Sequence, residues 1–177
     1  MAEIETERLL LRGWRDEDIE PYARICADPE VMRFIGSGVT LTREQSEEQI
    51  SRFVQHWEEH GFGLWAAEDK VSGELVGFIG LAHLEDWTEG GHESEVGWRL
   101  SRSFWGRGLA TEGAKTGLRY GFDMLGLKTI ISIIQPENTA SRRVAEKAGL
   151  TLSGETLWRN NEVVWYAKDR NAPHPKS

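Results

Sequence analysis

Apolar side chains recur along this chain with two different periods, and the places where the period changes mark out its elements. Arg8-Leu-Leu-Leu-Arg12 is a short apolar run between charges and reads as a first strand. From Asp16 to Ala27 the spacing is helical, with Ile19, Tyr22, Ala23, Ile25 and Cys26 on the buried side, and Asp28-Pro29 then breaks the chain. Thr42 to His60 is the most strongly specified helix. Thr42 with Gln45 forms a capping box, Ile50, Phe53, Val54 and Trp57 have helical spacing, and Gly61 stops it. Gly63 to Glu68 and Leu75 to His83 follow as strands joined at Val71-Ser-Gly-Glu74, a hairpin.

After a loop rich in glycine and acid, Ser94 to Leu100 reads as the fourth strand. A glycine-studded turn, Trp105 to Gly108, leads into a helix over Leu109 to Met124. Thr129 to Ile134 is β-branched and apolar enough for a buried strand, and Ala140 to Lys147 is a short helix stopped by Gly149. Leu152 to Trp158 and Val163 to Ala167 make a closing hairpin. The pattern predicts one α+β domain over residues 1–170, and a flexible C-terminal tail at 171–177, which holds two prolines and no apolar side chain beyond Ala172.

Size and composition narrow the class. A chain of 177 residues can bury roughly 70% of its unfolded surface in one core. Hydrophobic residues at 39% and charged residues at 28% are ordinary for a globular enzyme. The net charge of -8 argues against a phosphate-tracking surface, so no direct nucleic-acid partner is expected. A cationic acceptor such as an amine suits that charge, although acidic surfaces also serve solubility. Cys26 is the sole cysteine, so no intramolecular disulfide forms and a reducing cytoplasm is the simplest compartment. No basic-then-apolar leader and no run of 18 apolar residues occurs, so no membrane association is expected.

The candidate chemistry starts at Trp105-Gly106-Arg107-Gly108-Leu109-Ala110. Glycine at a strand-to-helix junction lets backbone N–H groups converge on one point, and the helix behind adds a partial charge of about half an elementary unit. A diphosphate can sit there without a dedicated lysine, with Arg107 adding charge at the rim. The chain has neither a Gly-x-x-x-x-Gly-Lys-Ser/Thr stretch nor the dinucleotide fingerprint with its spaced acid, so nucleotide hydrolysis and hydride transfer lose support.

Three separated segments carry a resemblance. Ser94-Glu-Val-Gly-Trp-Arg-Leu100, Trp105-Gly-Arg-Gly-Leu-Ala-Thr-Glu112 and Asn138-Thr-Ala-Ser-Arg-Arg-Val-Ala-Glu-Lys-Ala-Gly-Leu150 resemble, in order and spacing, the GNAT acetyltransferase superfamily. Together with Thr6-Glu-Arg-Leu-Leu-Leu-Arg12, the second segment looks like the ribosomal-protein N-terminal acetyltransferase (RimJ/RimL-type) branch. The superfamily signature starts with Gln or Arg where this chain has Trp105, which puts that one side-chain contact in doubt. The resemblance covers about residues 6 to 168 and implies a single-domain GNAT-like fold. Its central, mixed and mostly antiparallel sheet has about six to seven strands, splayed at strands four and five and flanked by about four helices.

The activity it implies is transfer of an acetyl group from acetyl-CoA, a cosubstrate, to a primary amine that attacks directly in a ternary complex. The acceptor is a protein N-terminal α-amine or a small-molecule amine, and a homodimer is compatible with the pattern. By the resemblance, Glu95 is the candidate general base, working through water, and otherwise a strand-edge charge. Backbone N–H groups around Gly97 and Trp98 are candidates to polarise the thioester carbonyl, on the expectation that Gly97 marks a bulge. Asn138 matches a position that holds the pantetheine arm, or is simply a helix N-cap. Ser141 matches a position near the sulfur that can protonate the thiolate, or is a first-turn serine. Arg142 and Arg143 are candidates for CoA phosphates or solvated charges. Leu100, Trp105, Gly106, Arg107, Gly108, Leu109, Ala110 and Thr111 complete the expected coenzyme site.

Two rival readings stand beside this one. His56-Trp-Glu-Glu-His60 matches H-x-x-E-H on a helix, the ligand spacing of inverted zinc peptidases, but no third ligand is evident and no metal is expected. A noncatalytic acyl-CoA sensor could keep the same coenzyme motifs. Glu85, Asp86, Glu89 and Glu93 form an acidic loop that could attract a cationic acceptor or be merely solvated, and two or three of the eight tryptophans are expected near the cleft.

Overall fold

The computed structural model describes residues 2–170, so the tail expected at 171–177 lies outside the described residues. Its strands are β1 (Ile4–Glu5), β2 (Leu9–Arg12), β3 (Leu64–Asp69), β4 (Leu75–His83), β5 (Ser94–Leu100), β6 (Thr129–Ile134), β7 (Thr151–Trp158) and β8 (Asn161–Asp169). Its helices are α1 (Ile19–Cys26), α2 (Pro29–Met32), α3 (Arg43–His60), α4 (Leu109–Asp123) and α5 (Thr139–Ala148). All eight strands join one sheet in the order β1-β2-β3-β4-β5-β6-β8-β7. Every pairing is antiparallel except β5 with β6.

The extra elements have local causes. The two-residue β1 pairs Ile4 with Leu11 and is too short to show a period. Pro29, read as a breaker, instead sits in the first turn of α2, where its missing N–H costs nothing, and Asp28 caps that turn by accepting from the Glu30 amide at 3.0 Å. The α3 cap forms as its spacing predicts. Thr42 Oγ1 accepts from the Gln45 amide, Gln45 Oε1 accepts from the Thr42 amide at 2.8 Å, and Gly61 closes the helix at φ 74°.

The sheet buries both faces. Ile79, Leu81, Val96 and Leu100 pack with Leu109, Ala114 and Leu118 of α4, while Ala66 and Phe78 lie under Tyr22 and Ile25 of α1 and Ile50 of α3. Each such leucine or isoleucine contributes about 1.5–3 kcal/mol by leaving water. Gly113, Gly117 and Gly121 recur every four residues along α4. A Cβ at Gly113 would lie 2.3 Å from Ile79 Cδ1, and one at Gly121 2.5 Å from Ile130 Cδ1, so the helix can approach this closely only without those atoms.

The parallel pair positions the site. β5 and β6 meet at the single register pair Glu95 with Ile131, and from there β5 runs on toward Leu100 without a β6 partner. These are the fourth and fifth strands of the sequence reading, and they splay as expected; the added β1 shifts their count. Among the described residues no helix is long and apolar enough to cross a membrane.

Candidate active site

The first half of the site is a turn made of backbone. Gly106 and Gly108 have φ of 74° and 78°, left-handed values that suit glycine, and nothing lies within 4 Å of where a Gly106 Cβ would stand. Gly108 is the N-cap of α4, and among the described residues no side chain caps the helix, so its first-turn amides have no side-chain acceptor. Leu100 and Leu109 are buried in the core and can offer a ligand only their backbone, whereas Ala110 and Thr111 are partly exposed. Trp105, 46% exposed, donates its indole N–H to the Leu100 carbonyl at 2.8 Å and braces the turn. The Arg107 guanidinium lies over the Phe104 ring, 5.0 Å from its centroid.

Contacts across the fold explain why the opening Thr6 to Arg12 segment accompanies this turn. Glu112, in the first turn of α4, accepts from Thr6 Oγ1, the Arg8 amide and Arg8 Nε, and Arg8 Nη1 also reaches the Arg107 carbonyl at 2.6 Å. Burial alone would raise the Glu112 pKa, but these donors outweigh it and hold the carboxyl below its usual range.

The second half is a cavity of about 590 Å³ at the splay, on the α1–α3 side of the sheet. Glu95, Gly97 and Arg99, alternate residues of β5, all line it. Glu95 Oε1 accepts from the Ile133 amide of β6 at 3.1 Å. Loss of water pushes the Glu95 pKa up to about 7, with the Ile133 N–H and the Arg159 charge pulling the other way. The expectation of a bulge at Gly97 is corrected: β4 and β5 pair without interruption from Gly77–Leu100 to His83–Ser94. The Gly97 amide pairs with Gly80 of β4, since the odd-numbered residues of β5 are those that bond β4, and the donor the splay leaves open is the Trp98 N–H, which faces away from β4 and has no β6 strand to meet.

Ser141 and Asn138 also line the cavity. Asn138 Oδ1 accepts from the Ser141 amide at 3.1 Å, the N-cap bond, which leaves the carboxamide nitrogen free of that task. Trp98 Nε1 points at Ser141 Oγ over a long 3.4 Å. Arg142 is engaged within the fold, its Nε donating to Tyr166 Oη at 3.0 Å and its Nη1 to the Pro136 carbonyl at 3.1 Å.

The remaining wall comes from residues the sequence reading did not assign. Residues 34–37, Gln49 and Phe53 close one side, and Trp158, Arg159 and Asn161 of the β7–β8 hairpin close the other. Arg99 was legible in principle, since it is two positions beyond Gly97 on the same face of one strand. The others are brought in by long-range packing that no local pattern encodes. Trp98 and Trp158 are the two tryptophans in the cavity wall. Two acids of the loop are occupied: Arg159 holds Asp86 at 2.6 and 2.9 Å, and Glu89 accepts from Thr156 Oγ1.

The His56-x-x-x-His60 pair serves the fold. His56 Nδ1 bonds the Phe62 carbonyl at 2.9 Å and Nε2 accepts from the His83 amide at 2.9 Å, so neither ring nitrogen is left for a metal. Among the described residues no cluster of three metal-ligating side chains exists.

Comparison with known proteins fits this geometry. Residues 8–151 match the acetyltransferase (GNAT) domain family. An uncharacterized protein, YkkB of Bacillus subtilis (strain 168), is 32% identical over 170 residues, covering 94% of this chain and 95% of its own length. The crystal structure of an acetyltransferase from Agrobacterium tumefaciens str. C58 superposes with a TM-score of 0.82 at 28% identity, covering 95% of this chain and 94% of that one. RimL, a ribosomal L7/L12 α-N-protein acetyltransferase solved in complex with coenzyme A, superposes with a TM-score of 0.75 over 95% of this chain and 98% of its own. At 14% identity that last likeness is one of fold alone. A splayed sheet with a glycine turn at the head of a helix is the framework of an acyl-CoA-dependent transferase. The chain belongs to the GNAT acetyltransferase family and is an acetyl-CoA-dependent N-acetyltransferase.

Proposed function

We propose that this enzyme acetylates a primary amine by direct attack within a ternary complex, with Glu95 as general base. The observation that carries the reading is the place of Glu95, partly buried at the single point where β5 and β6 pair, with a pKa of about 7. An amine of reference pKa about 8 arrives largely protonated near neutral pH, and a carboxylate that titrates near 7 is suited to take that proton directly or through one water.

The turn from Trp105 to Ala110, with Thr111 in the first turn of α4, would hold the coenzyme's pyrophosphate through backbone N–H groups, and Asn138 would contact the pantetheine arm. Bound there, the coenzyme supplies an acetyl group already activated as a thioester. The backbone N–H of Trp98, which faces the open edge of β5, polarises the reacting carbonyl, while that of Gly97 is taken up in the pairing with Gly80 of β4. Ser141 donates a proton to the departing sulfur, a modest aid because a thiol is already a fair leaving group at its reference pKa of about 8.5. Direct attack is favoured because, among the described residues, neither Cys26 nor Ser141 is set up as a nucleophile for a covalent intermediate. Cys26 is fully buried behind Arg99, and Ser141 Oγ has no base within hydrogen-bond reach among the described residues.

The acceptor is a protein N-terminal α-amine, as the RimJ/RimL-type resemblance suggests, or a small-molecule amine. The test is thiol release from acetyl-CoA with peptides, amino acids and polyamines, read beside calorimetric binding of CoA. Saturable CoA binding with amine-dependent thiol release is expected. Binding without turnover on any amine would favour a noncatalytic sensor, and absence of binding would remove the coenzyme reading altogether.

A further inference from the structure

Among the described residues no acid neutralises the charge of Arg99, which lies near the ring faces of Phe78 and Tyr22, 5.1 and 6.0 Å from their centroids. It is 7% exposed, and no carboxylate lies within ion-pairing distance among the described residues. Its bonds all leave from Nη1, to Tyr22 Oη at 2.9 Å, Gln49 Oε1 at 2.8 Å and Cys26 Sγ at 3.3 Å. Gln49 is neutral by nature, and burial holds the Tyr22 hydroxyl well above its usual pKa, so it stays protonated. A buried, unpaired cation is costly, and folds normally pair it.

The nitrogens left over are informative. Nε is closed to water and has no partner, and Nη2 makes no hydrogen bond among the described residues. Those two nitrogens form the guanidinium edge that grips a carboxylate with two parallel bonds. The chain uses the same edge elsewhere: Arg159 holds Asp86 through Nε at 2.6 Å and Nη2 at 2.9 Å. The other buried side-chain atom without a partner among the described residues is Trp158 Nε1, and both residues line the same cavity. Asp86 feels the Trp158 indole weakly, but no hydrogen bond of ordinary geometry joins them. The Trp158 indole lies toward Asp86, so the donor left without an acceptor in the cavity wall is that of Arg99, and what it lacks is a charged acceptor.

The charges on the wall are ordered along β5. With Arg159 paired to Asp86, the lining retains Glu95 and Arg99, four residues apart on one strand face and so about 13 Å between Cα atoms, with side-chain-free Gly97 midway. We infer that the acceptor is a small amine carrying its own carboxylate, of the α-amino-acid class, whose amine lies over Gly97 toward Glu95 and whose carboxylate binds the free edge of Arg99. A longer peptide presents an amide there and a polyamine presents no anion, so neither completes the pair. This rests on the acetyl-transfer reading above.

The test compares free amino acids with their C-terminal amides, beside tetrapeptides and spermidine, using acetyl-CoA and the full-length protein. On the wild-type enzyme the acid should exceed its own amide in kcat/KM by about 100-fold, the factor that about 2.7 kcal/mol provides when a buried charge pair is completed. Arg99→Gln should collapse that acid-to-amide ratio toward one, and Arg99→Lys should restore part of it, with CoA affinity by calorimetry reporting that each variant is folded. Because the wild-type ratio needs no variant, misfolding of either substitution leaves the test intact. Amides, peptides or spermidine matching or exceeding the acids, or no turnover of any amine while CoA still binds, overturns this inference. Loss of CoA binding by the wild type would instead overturn the reading beneath it.

Discussion

The two halves of the site are built by different means. The turn proposed for the coenzyme is built of backbone: two glycines in left-handed conformation and a helix with no side-chain cap among the described residues, all within a few consecutive residues. The cavity proposed for the acceptor is lined by side chains drawn from α3, β5, β6, the β7–β8 hairpin and the segment after α2. A ligand shared by many enzymes can be held by groups every residue possesses, whereas a particular acceptor must be recognised by side chains. Changes on the cavity side should therefore alter chemistry and selectivity, and changes in the turn should alter coenzyme affinity.

The largest expected separation is at Glu95. Glu95→Gln should lower kcat by about 100-fold or more and remove the acidic limb near pH 7 from the wild-type profile, with CoA affinity by calorimetry nearly unchanged. A wild-type profile in the variant would end the role of Glu95 as base.

The same substitution should stabilise the protein. A carboxyl that titrates near 7 in the fold and near 4.5 when unfolded binds its proton more tightly in the folded state. Its burial therefore lowers stability progressively as pH rises from about 4.5 to about 7, and the loss persists above that window. Glu95→Gln should raise stability at pH 8 by on the order of 2 kcal/mol, seen as a higher Tm, and the gain should vanish near pH 4.

On the turn side, Gly108→Val forces a β-branched residue to φ 78° and should weaken CoA binding about 10-fold or more, leaving the pH at half-maximal activity in place. A shift of that pH in this variant would mean that the two halves are not separable. Ser141→Ala should have the smallest effect, roughly a 5- to 10-fold loss in kcat with unchanged CoA affinity, in keeping with proton donation to a group that leaves well unaided.

The difference between the halves also governs what could be read before any coordinates. The capping box at Thr42, the hairpin around residues 70–74 and the turn at Trp105 are local patterns, and each forms where its spacing predicts. The two-residue β1 and the single-turn α2 escaped because neither spans a full period. Glu95, Asn138 and Ser141 were found by resemblance, and they meet at one cavity. Arg99 shares the strand face of Glu95 and Gly97, but its lack of an acidic partner among the described residues shows only once α1 and α3 are folded over that face. The net charge of -8 pointed toward a cationic acceptor, but it sums the whole surface, and the unpaired charge in the cavity wall is positive.

The glycines at 113, 117 and 121 of α4 bear on how such a site tolerates evolutionary drift. With no side chain of its own at 113 and 121, the helix rests its backbone on the side chains of Ile79 in β4 and Ile130 in β6, so those two isoleucines set its height above the sheet. Exchanging either isoleucine for a residue of another size would move α4 relative to the sheet, so a change deep in the interior is transmitted to the glycine turn at the helix head.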